Sequence, residues 1–167
     1  MKLNVPFFKQ DTPYTCGPAS IQMAMDFFGF FEGEKQLKKE VHADYDIGTT
    51  HKWMMDVVKK KGFYCREENE STLDDVCFLL NEKLPVIVHF TEPSENATHY
   101  SVVTGIENGA VILNDPWNGK DYRISEEEFL ERWRSPDGQY TRWLMVISRH
   151  PIVFDDDILI PVGAVHV

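Results

Sequence analysis

Three cysteines in 167 residues, Cys16, Cys65 and Cys77, are too few and too oddly numbered for a disulfide framework, and without a CxxC pair they offer no structural zinc site. At least one thiol is therefore free. Basic side chains are also scarce. Seventeen Lys and Arg stand against 27 Asp and Glu, and the resulting formal charge of -10 would repel a phosphate backbone, so nucleic acid is not expected as a partner. Long apolar runs are missing too. Leu84 to Phe90 and Tyr100 to Ile106 fall far short of the ~18 to 20 residues a bilayer span needs, so no membrane contact is expected. The first residues, Met1, Lys2, Leu3, Asn4, Val5 and Pro6, lack the apolar core of a secretion signal, which makes a cytoplasmic setting the expectation. Internal repeats and low-complexity runs are absent, while 43% hydrophobic and 13% aromatic residues suffice to bury a core. The length suits one compact domain.

What is present divides the chain. Ile21, Ala24, Met25 and Phe28 follow helical spacing, which predicts a helix over roughly 16 to 28 that stops at Gly29. Leu37 and Val41, then Trp53, Met54, Val57 and Val58, predict two more, the second capped by Thr49 or Thr50. Ser71 to Lys83 reads as a fourth, with Asp74 and Asp75 in a first turn that favours negative charge. After Pro85 the pattern turns to β-branched and aromatic runs: Val86 to Phe90, Thr98 to Ile106, Ala110 to Asn114 and Trp143 to Ser148. One short helix, Ser125 to Trp133, interrupts them with a capping-box sequence at Ser125 and Glu128. The fold class expected is α+β, a single domain over 1–150 with a helical half of about 1–83 packed on an antiparallel sheet half of about 84–150. Residues 151–167 form a tail that reads as an added strand or an arm. A site is expected in the crevice between the halves.

Cys16 falls where the first helix begins, so its sulfur would lie near unpaired backbone N–H groups, an environment that favours thiolate. The competing reading is a small buried hydrophobe. Gly17 beside it removes a side chain that would obstruct a substrate, and Trp117 is a candidate for the substrate rim. Among six histidines, His99 opens a strand and would be held rigidly, whereas His89 lies inside a hydrophobic run and suits a core role.

Asn108 and Gly109 form a strong hairpin signal between the strand after His99 and the strand ending at Asp115. A two-residue turn would put His99 opposite Asn118 and send Asp115 to the other face. A three-residue loop over Glu107, Asn108 and Gly109, with a bulge at Gly109, pairs Ser101 with Asp115 and brings Asp115 to the face of His99. Such a contact would fix the imidazole tautomer, so the bulged loop is expected.

Val5 to Gln10, then Cys16, Gly17, Pro18, Ala19 and Ser20, a strand from Leu84 to Val88 before His99, and an Asp115-Pro116 pair after a hairpin resemble the C39-like cysteine peptidases of the papain-like superfamily. The resemblance runs through most of residues 5–148. It implies a papain-like fold, Cys16 as nucleophile, His99 as base and acid, Asp115 as orienting carboxylate and Gln10 as oxyanion donor. An amide six residues before the nucleophile can supply one N–H to a developing oxyanion beside the Cys16 backbone N–H. No metal and no organic cofactor is implied, and a peptide or other amide is the expected substrate. No GxxxxGK phosphate loop occurs, so the ATP-driven export module that accompanies some members of that family is not expected within this chain. An acyltransferase using the same acyl-enzyme, and a non-catalytic binding module of the same fold, are the alternatives.

Overall fold

The helices over 51–60 and 73–81 start where the sequence supplies a side-chain cap. Thr50 accepts a hydrogen bond from Trp53 N, and Thr72 forms a full capping box with Asp75. In the computed structural model, which describes residues 1–154 and 159–161, the helices are α1 Cys16–Phe27, α2 Glu34–Glu40, α3 His51–Lys60, α4 Leu73–Asn81 and α5 Glu126–Arg132. The strands are β1 Tyr64–Glu68, β2 Val86–Thr91, β3 Thr98–Glu107, β4 Ala110–Asp115, β5 Gly119–Ser125 and β6 Leu144–Ser148, with a small hairpin of β7 Ile152–Phe154 and β8 Leu159–Pro161. The expected tail thus contributes a two-stranded hairpin, and residues 155–158 and 162–167 of that tail lie outside the described residues.

α1 is buried on more than one face. Every residue from Gly17 to Met25 is shielded from water, because the helix lies between α2 and α3 on one side and β2 and β3 on the other. The stripe of Ile21, Ala24 and Met25 is only part of that contact. At Gly17, an added Cβ would lie 2.2 Å from Thr49 Cγ2, so glycine is needed there for the helix to approach the loop before α3. This corrects the sequence-based reading of Gly17, whose missing side chain makes room for Thr49 rather than for a substrate.

The six-stranded antiparallel sheet runs β1-β6-β2-β3-β4-β5. The division into halves is therefore not clean, because β1, from the helical part of the chain, pairs with β6 at one edge. β5 is the other edge. Its sequence, Gly-Lys-Asp-Tyr-Arg-Ile-Ser, carries little apolar signal because one edge strand needs little burial.

The β3–β4 hairpin departs from expectation in an instructive way. Asn108 and Gly109, both at positive φ, make a plain two-residue turn with Glu107 paired to Ala110. The three-residue loop expected over Glu107 to Gly109 does not form. Instead the register shifts farther along, between Val103 and Gly105, where Thr104 is an extra residue. The carbonyl of Thr104 accepts from Leu3 N at 2.7 Å, and Lys2 bridges to Gly105. A side chain at Gly105 would meet the Met1 carbonyl at 2.8 Å. Beyond this bulge Val103 faces Leu113 and Val102 faces Asn114, which restores the register that puts Asp115 on the face of His99.

Candidate active site

Cys16 is the first residue of α1, partly exposed, and its Sγ accepts a hydrogen bond from Tyr100 N at 3.5 Å. Tyr100 immediately follows His99 on β3, so the strand that holds the sulfur also carries the imidazole. The loop ahead of the helix is tied by Thr12 and Thr15: Thr12 N donates to Thr15 Oγ1 at 3.1 Å, and Thr15 Oγ1 donates to Thr12 O at 3.2 Å.

His99 is buried, and its Nε2 lies 2.8 Å from Asp115 Oδ1. Cys16 lies close enough to act electrostatically on the same ring. Burial alone would lower the pKa of His99. The negative charge of Cys16 and the hydrogen bond to Asp115 outweigh that penalty and raise it to about 10, so the imidazolium is the favoured form. Asp115 is fully buried, which works against its charge, yet its pKa is lowered by His99 and by the backbone N–H groups of Asn118 and Trp117. Those two N–H groups donate to Oδ1 at 2.8 and 2.9 Å and close an Asx turn over Pro116. Pro116 O in turn accepts from Gln10 N at 3.0 Å, so the turn that orients the carboxylate also anchors Gln10.

Gln10 is buried, with Nε2 donating to Thr12 O at 2.7 Å and one N–H left over, while Oε1 has no partner. It lines a small cleft of about 50 Å³ together with His99, Trp117, Glu92 and Glu95. Cys16 instead opens onto a larger cleft of about 580 Å³ whose walls include Tyr45, Ile47, Tyr100 and Tyr140. A groove of about 610 Å³ beside α5, lined by Glu128, Arg132 and Arg134 among others, contains neither a cysteine nor a histidine. Among the described residues no group of three or more His, Cys, Asp or Glu side chains could hold a metal ion, and no helix is long and apolar enough to cross a membrane.

The residues singled out from sequence thus converge, apart from Gly17, which lines none of the three clefts just described. Trp117, 40% exposed, stands on the rim beside His99. His89 takes a packing role. It stacks on Tyr100 with ring centroids 4.1 Å apart and shares a 2.8 Å hydrogen bond with His51. Burial pushes His89 down to about 3 and His51 down to about 4, which keeps both neutral at pH 7. Sequence reasoning missed Glu92, whose buried carboxylate accepts from Ser94 N, Ser94 Oγ and Glu95 N and so orders the loop leading into His99. It also missed Tyr140 and Asp137, which reach the larger cleft from a loop with no periodic signal.

Residues 2–141 match the family described as Peptidase_C39 like. No curated protein matches the chain. Among solved structures, the peptidase domain of Streptococcus ComA, a bifunctional ABC transporter involved in quorum sensing, is 24% identical with a TM-score of 0.69, covering 87% of this chain and 98% of that one. A double glycine motif protease from an AMS/PCAT transporter, solved in complex with the leader peptide, is 19% identical with a TM-score of 0.67 over 87% and 92% of the two chains. A C39-like protein from Bacillus anthracis is 16% identical with a TM-score of 0.71 over 89% and 98%.

Proposed function

Because the chain belongs to the Peptidase_C39 like family and is a C39-like cysteine peptidase, we propose that Cys16, His99 and Asp115 form its catalytic triad, with Gln10 as oxyanion donor. In this reading Cys16 attacks the carbonyl carbon of a peptide bond. The spare Gln10 N–H and the Cys16 backbone N–H receive the charge that develops on oxygen. His99, held by Asp115, passes its proton to the departing amine, and a thioester remains on Cys16. Water, deprotonated by the now neutral imidazole, then releases the acid. The observation that carries the proposal is the 2.8 Å contact between His99 and Asp115 on a strand whose next residue, Tyr100, donates its N–H to Cys16 Sγ at 3.5 Å.

A peptide is the substrate class the surroundings support. Exposed Tyr45 and Ile47 border the larger cleft and offer apolar surface to a chain segment. The complex of the double glycine motif protease with a leader peptide shows this fold holding a peptide in a relative. Digestion of a peptide library by the protein and by Cys16→Ala, with intact-mass measurement of the enzyme, tests the reading. Cleavage that depends on Cys16, with an acyl adduct on that residue, is expected. Repeating the digestion with added amines separates hydrolysis from acyl transfer. Identical digestion by Cys16→Ala would overturn the proposal.

A further inference from the structure

The two clefts that meet at the site differ in which reacting group they contain. The larger includes Cys16 and not His99, and the smaller includes His99 and not Cys16. Sulfur bonds to the carbonyl carbon while the imidazole protonates the nitrogen that leaves, so the amine half of the substrate belongs in the smaller cleft.

That cleft is built from acceptors. Glu92 is 2% exposed and kept anionic, despite its burial, by donors from Ser94, Glu95 and Asn118. Glu95 is exposed and, among the described residues, its carboxylate has no partner. Gln10, only 6% exposed, lines the cleft as well, and its buried Oε1 has no partner in the protein. A buried acceptor without a donor is costly, so an arriving N–H donor would be favoured there. No lysine or arginine lines the cleft, and the half-exposed Trp117 ring can cover an aliphatic stem or face a cation. The nearest cation of α5, Arg132, is already committed to Glu128 and Asn96.

We propose that this cleft selects a lysine or arginine side chain on the residue immediately following the bond cleaved, with Glu95 as the specificity-determining charge. The inference rests on the assignment of Cys16 and His99 above. Its test needs no known substrate. Chloroacetyl-Lys-amide and chloroacetyl-Glu-amide place opposite charges beyond a carbonyl that sits next to the reactive carbon. Cys16 Sγ forms a C–S bond as the C–Cl bond breaks, chloride leaves, and the thiol proton stays on His99.

The lysine probe should alkylate Cys16 about 10-fold faster than the glutamate probe at low salt. Glu95→Gln should bring the ratio close to one, and Glu95→Lys should invert it. Glu127→Gln, the same charge change on the exposed face of α5, should leave the ratio unchanged, which separates the cleft from the overall charge of -10. Equal rates for the two probes, or a ratio insensitive to Glu95, would overturn the inference while selective reaction of Cys16 with plain chloroacetamide keeps the nucleophile assignment. If chloroacetamide modifies Cys77 as readily as Cys16, the nucleophile assignment fails and carries this inference with it.

Discussion

His99 and Asp115 meet at 2.8 Å because Thr104, three residues before the end of β3, is an extra residue in the β3–β4 register. A strand alternates its faces with period two, so one unpaired residue exchanges the faces of everything beyond it. The bulge thus converts a tight hairpin, whose own register would separate the imidazole from the carboxylate, into one that joins them.

Asp115→Asn should retain the two backbone hydrogen bonds of the Asx turn but lose the charge that helps hold the imidazolium. Turnover of any cleaved peptide is expected to fall by up to about 10,000-fold, the loss that follows when an orienting carboxylate becomes an amide. Steady-state kinetics on purified protein reads this out, and a loss below about 3-fold would remove Asp115 from the mechanism.

Gln10→Ala should lower kcat by roughly 10- to 1,000-fold with little change in the alkylation rate of Cys16, since it removes a donor used only in the transition state. Unchanged kcat would assign the oxyanion to another donor.

The three thiols should react in a fixed order. Burial pushes Cys65 up to about 12, and burial together with the Asp74 and Glu126 charges raises Cys77 as well. Brief iodoacetamide treatment at pH 6 is therefore expected to modify Cys16 first, as read by peptide mapping, and His99→Ala should slow that reaction by removing the cation beside the sulfur. Labelling of Cys65 at the rate of Cys16 in folded protein contradicts the assignment.

Glu34 gives the fold a pH dependence of definite sign. Its carboxylate accepts from Asp11 N at 3.0 and 3.2 Å, and burial, followed by the neighbouring Asp11 side chain, raises its pKa from 4.5 to about 7. The folded protein then binds this proton more tightly than the unfolded chain does, so the Glu34 contribution favours folding most below about pH 4.5 and declines as pH rises to about 7. Glu34→Gln should raise Tm relative to the parent progressively across that window. A Tm difference that stays flat from pH 4.5 to 7 counts against it.

Gly17→Ala forces a methyl into Thr49 Cγ2, an overlap expected to cost about 1 to 3 kcal/mol. Thr49→Ser deletes that Cγ2 and keeps the hydroxyl that donates to Val41 O at 2.8 Å, so the double variant should regain most of the loss. Denaturant melts of the single and double variants check the coupling.

How far the sequence carries can be judged residue by residue. Cys16 at a helix start, the Thr50 cap and the Asn108-Gly109 turn are local signals, because capping and turn chemistry act within four residues. The meeting of His99 and Asp115 was anticipated, but from a bulge placed at the turn. The real one at Thr104 is set by pairing with Leu3, a contact across about a hundred residues that no local pattern encodes. β5 escaped notice because an edge strand carries mostly polar residues, and the clustered acceptors around Glu92 depend on a loop whose hydrogen bonds have no periodicity.

The pairing of Leu3 with Thr104 makes the amino-terminal segment a remote splint for the imidazole. Leu3 N takes up the carbonyl that the bulge leaves free, Lys2 bridges to Gly105, and Val5 O accepts from Asn114 Nδ2 at 2.9 Å, one residue before Asp115. Trimming residues 1–4, none of which touches either cleft, would release the strand offset that joins His99 to Asp115, so an affinity tag is safer placed elsewhere than against Met1.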